Sequence, residues 1–378
     1  MNIAFFCIPA HGHTNPTLAV VRELTARGHT VRYYTTEAFR AKVEAAGAVF
    51  VPFDTEAARP GMTAADGARL GSDLAFSTKL IVDLTLAADD WLSRELTAHR
   101  PDVIAGDSMA FWAKLAAKKH GIPFVSSTTT FAFNRFSAKV IEQNGAGFLQ
   151  FLLAQPRINR QLKRLRAAGY AVKSVFDIIA NDNETETVVY TSPDFQPCAD
   201  TFSEKYHFVG PLLRPAQSSF EKLPGRSLIY ISLGTVNNDA LPFYRACLAA
   251  FGGDPRFQLV LSAGTQTDLA ALGPIPENCT VRASVDQMAV LDCADVFLTH
   301  CGMNSASEGL WHGLPLVLYP QTPEQHGVAN RVAALGAGVP LTDPSADGIR
   351  RAVEAALTDP AYRENAQKLA CLLYTSTS

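Results

Sequence analysis

The chain has 378 residues, 47% hydrophobic and 18% charged, with a formal net charge of -3; that is enough for two ordinary domains and lacks the basic excess of a nucleic-acid binder. Its partner is expected to be a small molecule. Cys7, Cys198, Cys247, Cys279, Cys293, Cys301 and Cys371 form no CxxC pair, so neither a disulfide framework nor a zinc knuckle is indicated, and reduced thiols in a cytoplasm fit best.

The first run, "NIAFFCI" (2–8), is continuously apolar, as expected of a strand covered on both faces. No Lys or Arg precedes it and it reaches polar "HGHTN" at once, so it fails as a signal peptide. A helix is expected from Pro16, with Leu18, Val21 and Leu24 at helical spacing, Thr14 or Asn15 as its cap and Gly28 as its stop. Strands at 29–35 and 48–53 with a helix at 37–46 continue the pattern. So do strands at 102–107 and 123–128, separated by a helix at 109–120. This alternation predicts a parallel sheet with helical crossovers.

Helical insertions at 60–99 and 131–169, rich in Phe, Leu and Trp, are placed where binding surfaces are commonly built. The segment "AQSSFEKLPGR" has the Ser, Pro and Gly content of a linker, which sets domains at 1–212 and 227–378 with 213–226 between them. The alternation then restarts, with strands near 227–232, 257–262, 279–283, 295–299 and 315–319 and helices in the gaps. No run of about eighteen apolar residues suits a spanning helix. Two facing α/β halves of this kind leave a cleft between their sheet ends, where ligands are expected.

The most informative stretch is "DVFLTHCGMNSASEGLWHGLPLVLYPQTPEQHGVANRV" (295–332). A buried strand delivers His300, Gly302 permits a tight turn, and a helix begins near Met303, so that its first N–H groups offer an anion site. Such a helix end stabilises an anion by roughly 0.3–2 kcal/mol, too little alone for a diphosphate. His300, Asn304 and Ser305 can add hydrogen bonds, as can Ser232, Gly234 and Thr235 in "ISLGT". Glu308, one turn beyond Asn304, is placed to accept from ribose hydroxyls. Singly, His300 is better explained by a loop carbonyl and Glu308 by solvent; their common spacing is what suggests a nucleoside diphosphate.

Residues 295–332 closely resemble the nucleotide-sugar signature of the family 1 (UDP-glycosyltransferase) enzymes with the two-domain GT-B fold. "HGHTNP" (11–16) resembles the start of their acceptor domain, and with "SLGT" (232–235) the motifs look most like bacterial macrolide and flavonoid glycosyltransferases. The resemblance implies two facing Rossmann-like domains with the active site in the interdomain cleft. It implies inverting transfer of a sugar, glucose first, from a UDP-sugar donor to an acceptor hydroxyl without a metal or other cofactor. The acceptor would be a lipophilic small molecule such as a flavonoid, another phenol or a macrolide. His13, directly before the "TNP" turn, matches the family's general base and Asp107 its orienting carboxylate, whereas His11 matches no role. Glu324 and Gln325 match the pair that grips the sugar hydroxyls.

The chemistry supports the pair beyond the likeness. A neutral imidazole suits removal of a hydroxyl proton near pH 7, and a carboxylate on its other nitrogen fixes the tautomer. Helix capping is the competing explanation for both residues.

Two departures stand out. "SVDQ" (284–287) replaces a Trp-containing segment whose ring stacks on uracil, which leaves base recognition to backbone near Val285 and ribose or phosphate to Gln287. Weaker preference for uracil, with tolerance of dTDP-sugars, is expected. The end, "LACLLYTSTS" (369–378), lacks helical periodicity, so the last helix is expected to be truncated or altered.

Met62, Phe76, Trp91, Phe111, Trp112, Phe131, Phe133, Phe136 and Phe148 are candidates for an apolar acceptor pocket, with ordinary core packing as the alternative for most. Three other functions fit parts of the sequence. "GDSMA" (106–110) approximates a nucleophile elbow that would make Ser108 a hydrolase nucleophile. A nucleotide-sugar epimerase would share the fold, and a non-catalytic UDP-sugar binding protein would retain only the second half's role.

Overall fold

The computed structural model describes residues 1–53, 73–134, 136–137, 147–179 and 183–375. Their contacts divide the chain into two units, Met1–Tyr190 with Cys198–Phe208, and Thr191–Pro197 with Val209–Ser378.

The first unit is built on a parallel sheet of seven strands: β1 (Asn2–Phe6), β2 (Thr30–Thr35), β3 (Val49–Pro52), β4 (Val103–Asp107), β5 (Phe124–Thr128), β6 (Glu186–Val189) and β7 (Tyr206–Phe208). Their order is β3-β2-β1-β4-β5-β6-β7. β1 reads as unbroken hydrophobics because both of its faces are covered. Ala4 and Phe6 pack with Tyr34, Ile104 and Trp112 under the helices Leu74–His99 and Phe111–His120. Ile3, Phe5 and Cys7 pack with Val31, Tyr33 and Val21 under the helix His11–Ala26. Each fully buried aliphatic side chain here is worth about 1.5–3 kcal/mol.

The second unit repeats the plan with six parallel strands: β8 (Ser227–Ser232), β9 (Phe257–Ser262), β10 (Cys279–Arg282), β11 (Val296–Thr299), β12 (Leu316–Leu318) and β13 (Gly338–Pro340), in the order β10-β9-β8-β11-β12-β13. Ile229, Ile231, Leu259 and Leu298 close on Tyr244 and Phe251 of the helix Leu241–Phe251 and on Ile349 and Val353 of the helix Ala346–Thr358. In each sheet the strand order reverses beside the first strand, between β1 and β4 and between β8 and β11. The chain leaves those neighbours in opposite directions, opening a crevice at their carboxyl ends.

Several expectations are revised. The first helix starts at His11, with Ala10 as its uncapped N-cap and Pro16 inside it. Proline there forfeits a backbone bond to Gly12 but has the right φ for a second turn. Neither Thr14 nor Asn15 caps the helix: Asn15 Oδ1 accepts from Lys42 Nζ at 3.1 Å, and Thr14 is fully buried. The last helix runs Pro360–Thr375. Ala366, Leu369 and Leu373 recur at intervals of three and four along it and are buried, so "LACLLYT" continues the apolar stripe; residues 376–378 lie outside the described set.

The segment read as a linker is anchored within the second unit. Asp286 Oδ2 accepts from the backbone N–H of Gln217 at 2.6 Å and of Ser218 at 2.8 Å, and Leu223 N donates to Gln258 Oε1 at 2.8 Å. Among the described residues, no helix is long and apolar enough to cross a membrane.

Candidate active site

In the first unit, β1 and β4 are neighbours, and each delivers one polar group to its carboxyl end. The helix following β1 carries His13 in its first turn, and β4 ends on Asp107. His13 Nδ1 lies 2.8 Å from Asp107 Oδ2. Asp107 is 1% exposed, and its Oδ1 accepts from Met109 N at 2.8 Å, so its orientation is fixed from both sides. An ionised carboxylate only accepts, which places the hydrogen on Nδ1 and the imidazole lone pair on Nε2. That is the tautomer a base needs. Asp107 thus serves the turn before the Phe111–His120 helix and the imidazole together.

Thr129, just beyond β5, escaped the sequence reading. Its Oγ1 lies 2.9 Å from the same Nδ1. Only the strand pairing of β5 with β4, Asp107 opposite Ser127, brings it there. His11 stands apart, with its ring edge-on to Phe39 at 5.0 Å and its Nδ1 3.4 Å from Lys42 Nζ. Burial, then the Lys42 charge, lowers its pKa.

The aromatic candidates do not form one surface. Trp91 and Trp112 pack with Phe53, at 5.1 and 5.8 Å between ring centroids, in the core. Phe111, Phe131 and Phe133 line a cavity of about 90 Å3 beside Asp107 and Ser126. Phe76 lines a separate one of about 470 Å3 with Lys79 and Arg164. Phe136 is 41% exposed. Met62 and the side chain of Phe148 lie outside the described residues.

In the second unit the nucleotide candidates gather at the carboxyl ends of β8, β11 and β12. β11 ends at Thr299, and His300 follows in the turn to the helix Met303–Trp311, with Asn304 and Ser305 in its first turn. The residue with positive φ is Cys301, at 64°, whereas Gly302 has φ -61° and ψ 141°. Gly302 is therefore needed for space, not for its dihedral angle: a Cβ there would meet His300 Nε2 at 2.6 Å. Gly234 crowds the same ring edge, and its Cβ would lie 2.6 Å from His300 Cε1 and Nε2. Burial lowers the His300 pKa to about 4, with the Ser232 backbone opposing, so the ring is neutral at pH 7.

Ser232 Oγ accepts from Gly234 N at 3.3 Å, and Thr235 is exposed. A residue not singled out from the sequence holds this loop: the side chain of the fully buried Asn238 donates to Gly234 O at 3.1 Å and accepts from Gln266 N at 3.0 Å. Gln287 Nε2 donates to Glu308 Oε2 and Tyr230 OH donates to Gln287 Oε1 at 3.0 Å. Two residues proposed separately for the ribose and phosphate are thus one hydrogen-bonded pair, with Tyr230 behind it. Burial raises the Glu308 pKa, and Gln287 and then Arg214 oppose it. Ser284 is exposed and Val285 half-buried, ahead of the helix Gln287–Leu291.

Glu324 is exposed in the first turn of the helix Pro323–Ala334. Gln325 closes that turn: its N–H donates to Thr322 Oγ1 at 3.4 Å and its Oε1 accepts from Gln321 N at 2.8 Å. Part of its hydrogen-bonding capacity is therefore structural.

Residues 257–373 match the family model of the erythromycin biosynthesis protein CIII-like C-terminal domain. The chain is 33% identical over 368 residues to the NDP-glycosyltransferase YjiC of Bacillus licheniformis, covering 95% of this chain and 90% of that protein. It is 32% identical over 381 residues to the demethyllactenocin mycarosyltransferase of Streptomyces fradiae, covering 97% and 82% respectively. The crystal structure of the glycotransferase of kitacinnamycin is similar with a TM-score of 0.83 and 31% identity, over 100% of this chain and 95% of that one. None of these relatives supports the hydrolase or epimerase alternatives.

Proposed function

The chain belongs to the family 1 glycosyltransferases of GT-B fold, and we propose that it moves a sugar, glucose first among candidates, from UDP to a hydroxyl of a lipophilic natural product, with inversion and without a metal. Its class is that of the nucleotide-sugar-dependent enzymes of the macrolide and natural-product type. The observation that carries the reaction is the 2.8 Å contact of His13 Nδ1 with buried Asp107, which leaves the proton-accepting lone pair on Nε2.

In the reaction, Nε2 takes the hydroxyl proton as the acceptor oxygen bonds to the anomeric carbon. The bond from that carbon to the β-phosphate oxygen breaks, and UDP leaves with the electron pair. Displacement by a single oxygen from the face opposite the leaving group inverts the centre. Asp107 stabilises the imidazolium, and general-base assistance of this kind is worth about 10²–10⁴ in rate.

On the donor side, the start of the Met303–Trp311 helix, with Gly302, Asn304 and Ser305, and the Ser232–Gly234–Thr235 turn supply neutral donors to the diphosphate. His300 adds one N–H, and its low pKa makes it a hydrogen-bond donor of fixed charge state. Gln287 and Glu308 suit the ribose hydroxyls, since the pair can exchange its mutual hydrogen bond for two to the sugar. Glu324 and Gln325 are assigned to the transferred sugar, and backbone near Val285 to the base.

The acceptor class follows the relatives, a macrolide, a flavonoid or another phenol being the first to test. Mass spectrometry of the protein with UDP-glucose and a panel of such acceptors, in EDTA, tests the assignment. A product heavier by one hexose, lost in His13→Ala, is expected. Product that forms undiminished in His13→Ala removes the base, and product that requires added metal removes the metal-free mechanism.

A further inference from the structure

We propose that Thr129 is a positioning residue for the transfer, holding the His13 imidazole through a second hydrogen bond at Nδ1; this rests on the reading of His13 as the base. Its Oγ1 is 2.9 Å from Nδ1, and Asp107 Oδ2 is 2.8 Å from the same atom. Thr129 is 3% exposed, so bulk water does not compete for that contact.

The chemistry of the three groups fixes the sense of the bond. Asp107 accepts only, so Nδ1 bears the hydrogen, and one N–H is shared between two oxygens. The threonine oxygen therefore accepts, with its own hydrogen turned away from the ring. A hydroxyl that instead donated to Nδ1 would need the lone pair there, and would hold Nε2 protonated and unable to act. The buried carboxylate opposes that tautomer.

The two acceptors come from different strands, Asp107 from the end of β4 and Thr129 from just past β5. An imidazole held by a single hydrogen bond can pivot about its bond to Cβ while keeping that contact. A second acceptor restricts the pivot and fixes the direction of Nε2. As the ring gains a proton, the N–H at Nδ1 becomes a charged donor, and hydrogen bonds to charged donors are about twice as strong as neutral ones. Thr129 thus stabilises the imidazolium more than the neutral ring.

Thr129→Val replaces the hydroxyl by a methyl of similar size, Thr129→Ser keeps the oxygen without the methyl, and Thr129→Ala removes both. Rates are measured from pH 5 to 9 with UDP-glucose and an acceptor found by the mass-spectrometric panel. With Val or Ala, kcat is expected to fall about tenfold, the acceptor KM to change less than twofold, and the acid limb of kcat/KM to move to lower pH. Ser is expected to restore both the rate and the limb.

Ala introduces no bulk, so it serves if Val fails to fold. Val and Ala variants that match wild type in kcat and in the pH profile, with His13→Ala inactive, overturn the Thr129 assignment alone. An active His13→Ala overturns the reading beneath it. Equal losses in Ser and Ala, without movement of the limb, make Thr129 structural.

Discussion

Replacement of Gly302 by alanine isolates the role of His300. The backbone at 302, φ -61° and ψ 141°, is open to any residue, so the new methyl acts only through space. It would stand 2.6 Å from His300 Nε2, against 3.4 Å for ordinary contact, and the ring must retreat by about 0.8 Å, the difference of those two distances. Misplacement of a catalytic group by about 1 Å costs on the order of 10²-fold. kcat/KM for the donor should therefore fall about 30- to 100-fold, or about 2–3 kcal/mol. Stability should fall by only about 1–2 kcal/mol, from crowding. Gly234→Ala presses the same ring edge but sits at φ +79°, and the left-handed backbone adds about 1–2 kcal/mol. The two variants should then show similar donor losses, with Gly234→Ala clearly the less stable. Steady-state rates with varied UDP-glucose, UDP titration calorimetry and thermal unfolding measure these effects. A Gly302→Ala enzyme within threefold of wild type in donor kcat/KM would refute the placement of His300 against the diphosphate.

Asp107→Asn should keep the fold and lower kcat by about 10²–10⁴, because an amide no longer enforces the Nδ1–H tautomer; a loss under tenfold contradicts the dyad. Burial holds the His300 pKa near 4, below about 6.5 in the unfolded chain. Between those values the unfolded state binds more protons, so this stability is complete above about pH 6.5 and is lost as pH falls toward 4, by up to about 3 kcal/mol. In His300→Gln the unfolding temperature should depend less on pH across that window. Asn238→Ala should destabilise by about 2–3 kcal/mol, since it strips partners from Gly234 O and Gln266 N, and should raise the donor KM; unchanged denaturant unfolding would sink this. With Ser284 exposed and no indole at that position, UDP and dTDP should compete within about tenfold of each other. A much larger UDP preference would mean that another group reads the base.

The first strand and the β11 strand with its following helix were legible in the sequence because each is local, whereas the His13 and Asp107 pair, 94 residues apart, followed from the resemblance of their two motifs to the family's. Continuous apolar runs mark strands buried on two faces, and strand, His, Gly and helix fall within a single stretch. The short strands β6, β7 and β13 carry three or four residues each, too few for a period to show, and exist because a neighbouring strand offers an open edge. The early start of the first helix was hidden by Pro16, which marks a first turn by preference and is here accommodated in the second.

The sequence by itself determined the alternating α/β plan, the residue types at each strand end and the spacing that suits a nucleoside diphosphate, since these depend on neighbours along the chain. Only the tertiary structure decided that Thr129 Oγ1 and Asp107 Oδ2 meet at His13 Nδ1, that Gln287 and Glu308 are a pair, that Asn238 locks the Gly234 turn, and that Gly302 serves for space while Cys301 takes the left-handed conformation. Those facts rest on groups from loops, helices and strands meeting at the carboxyl ends of the strands within each sheet. Their contacts are set by strand order and register, which local patterning does not encode.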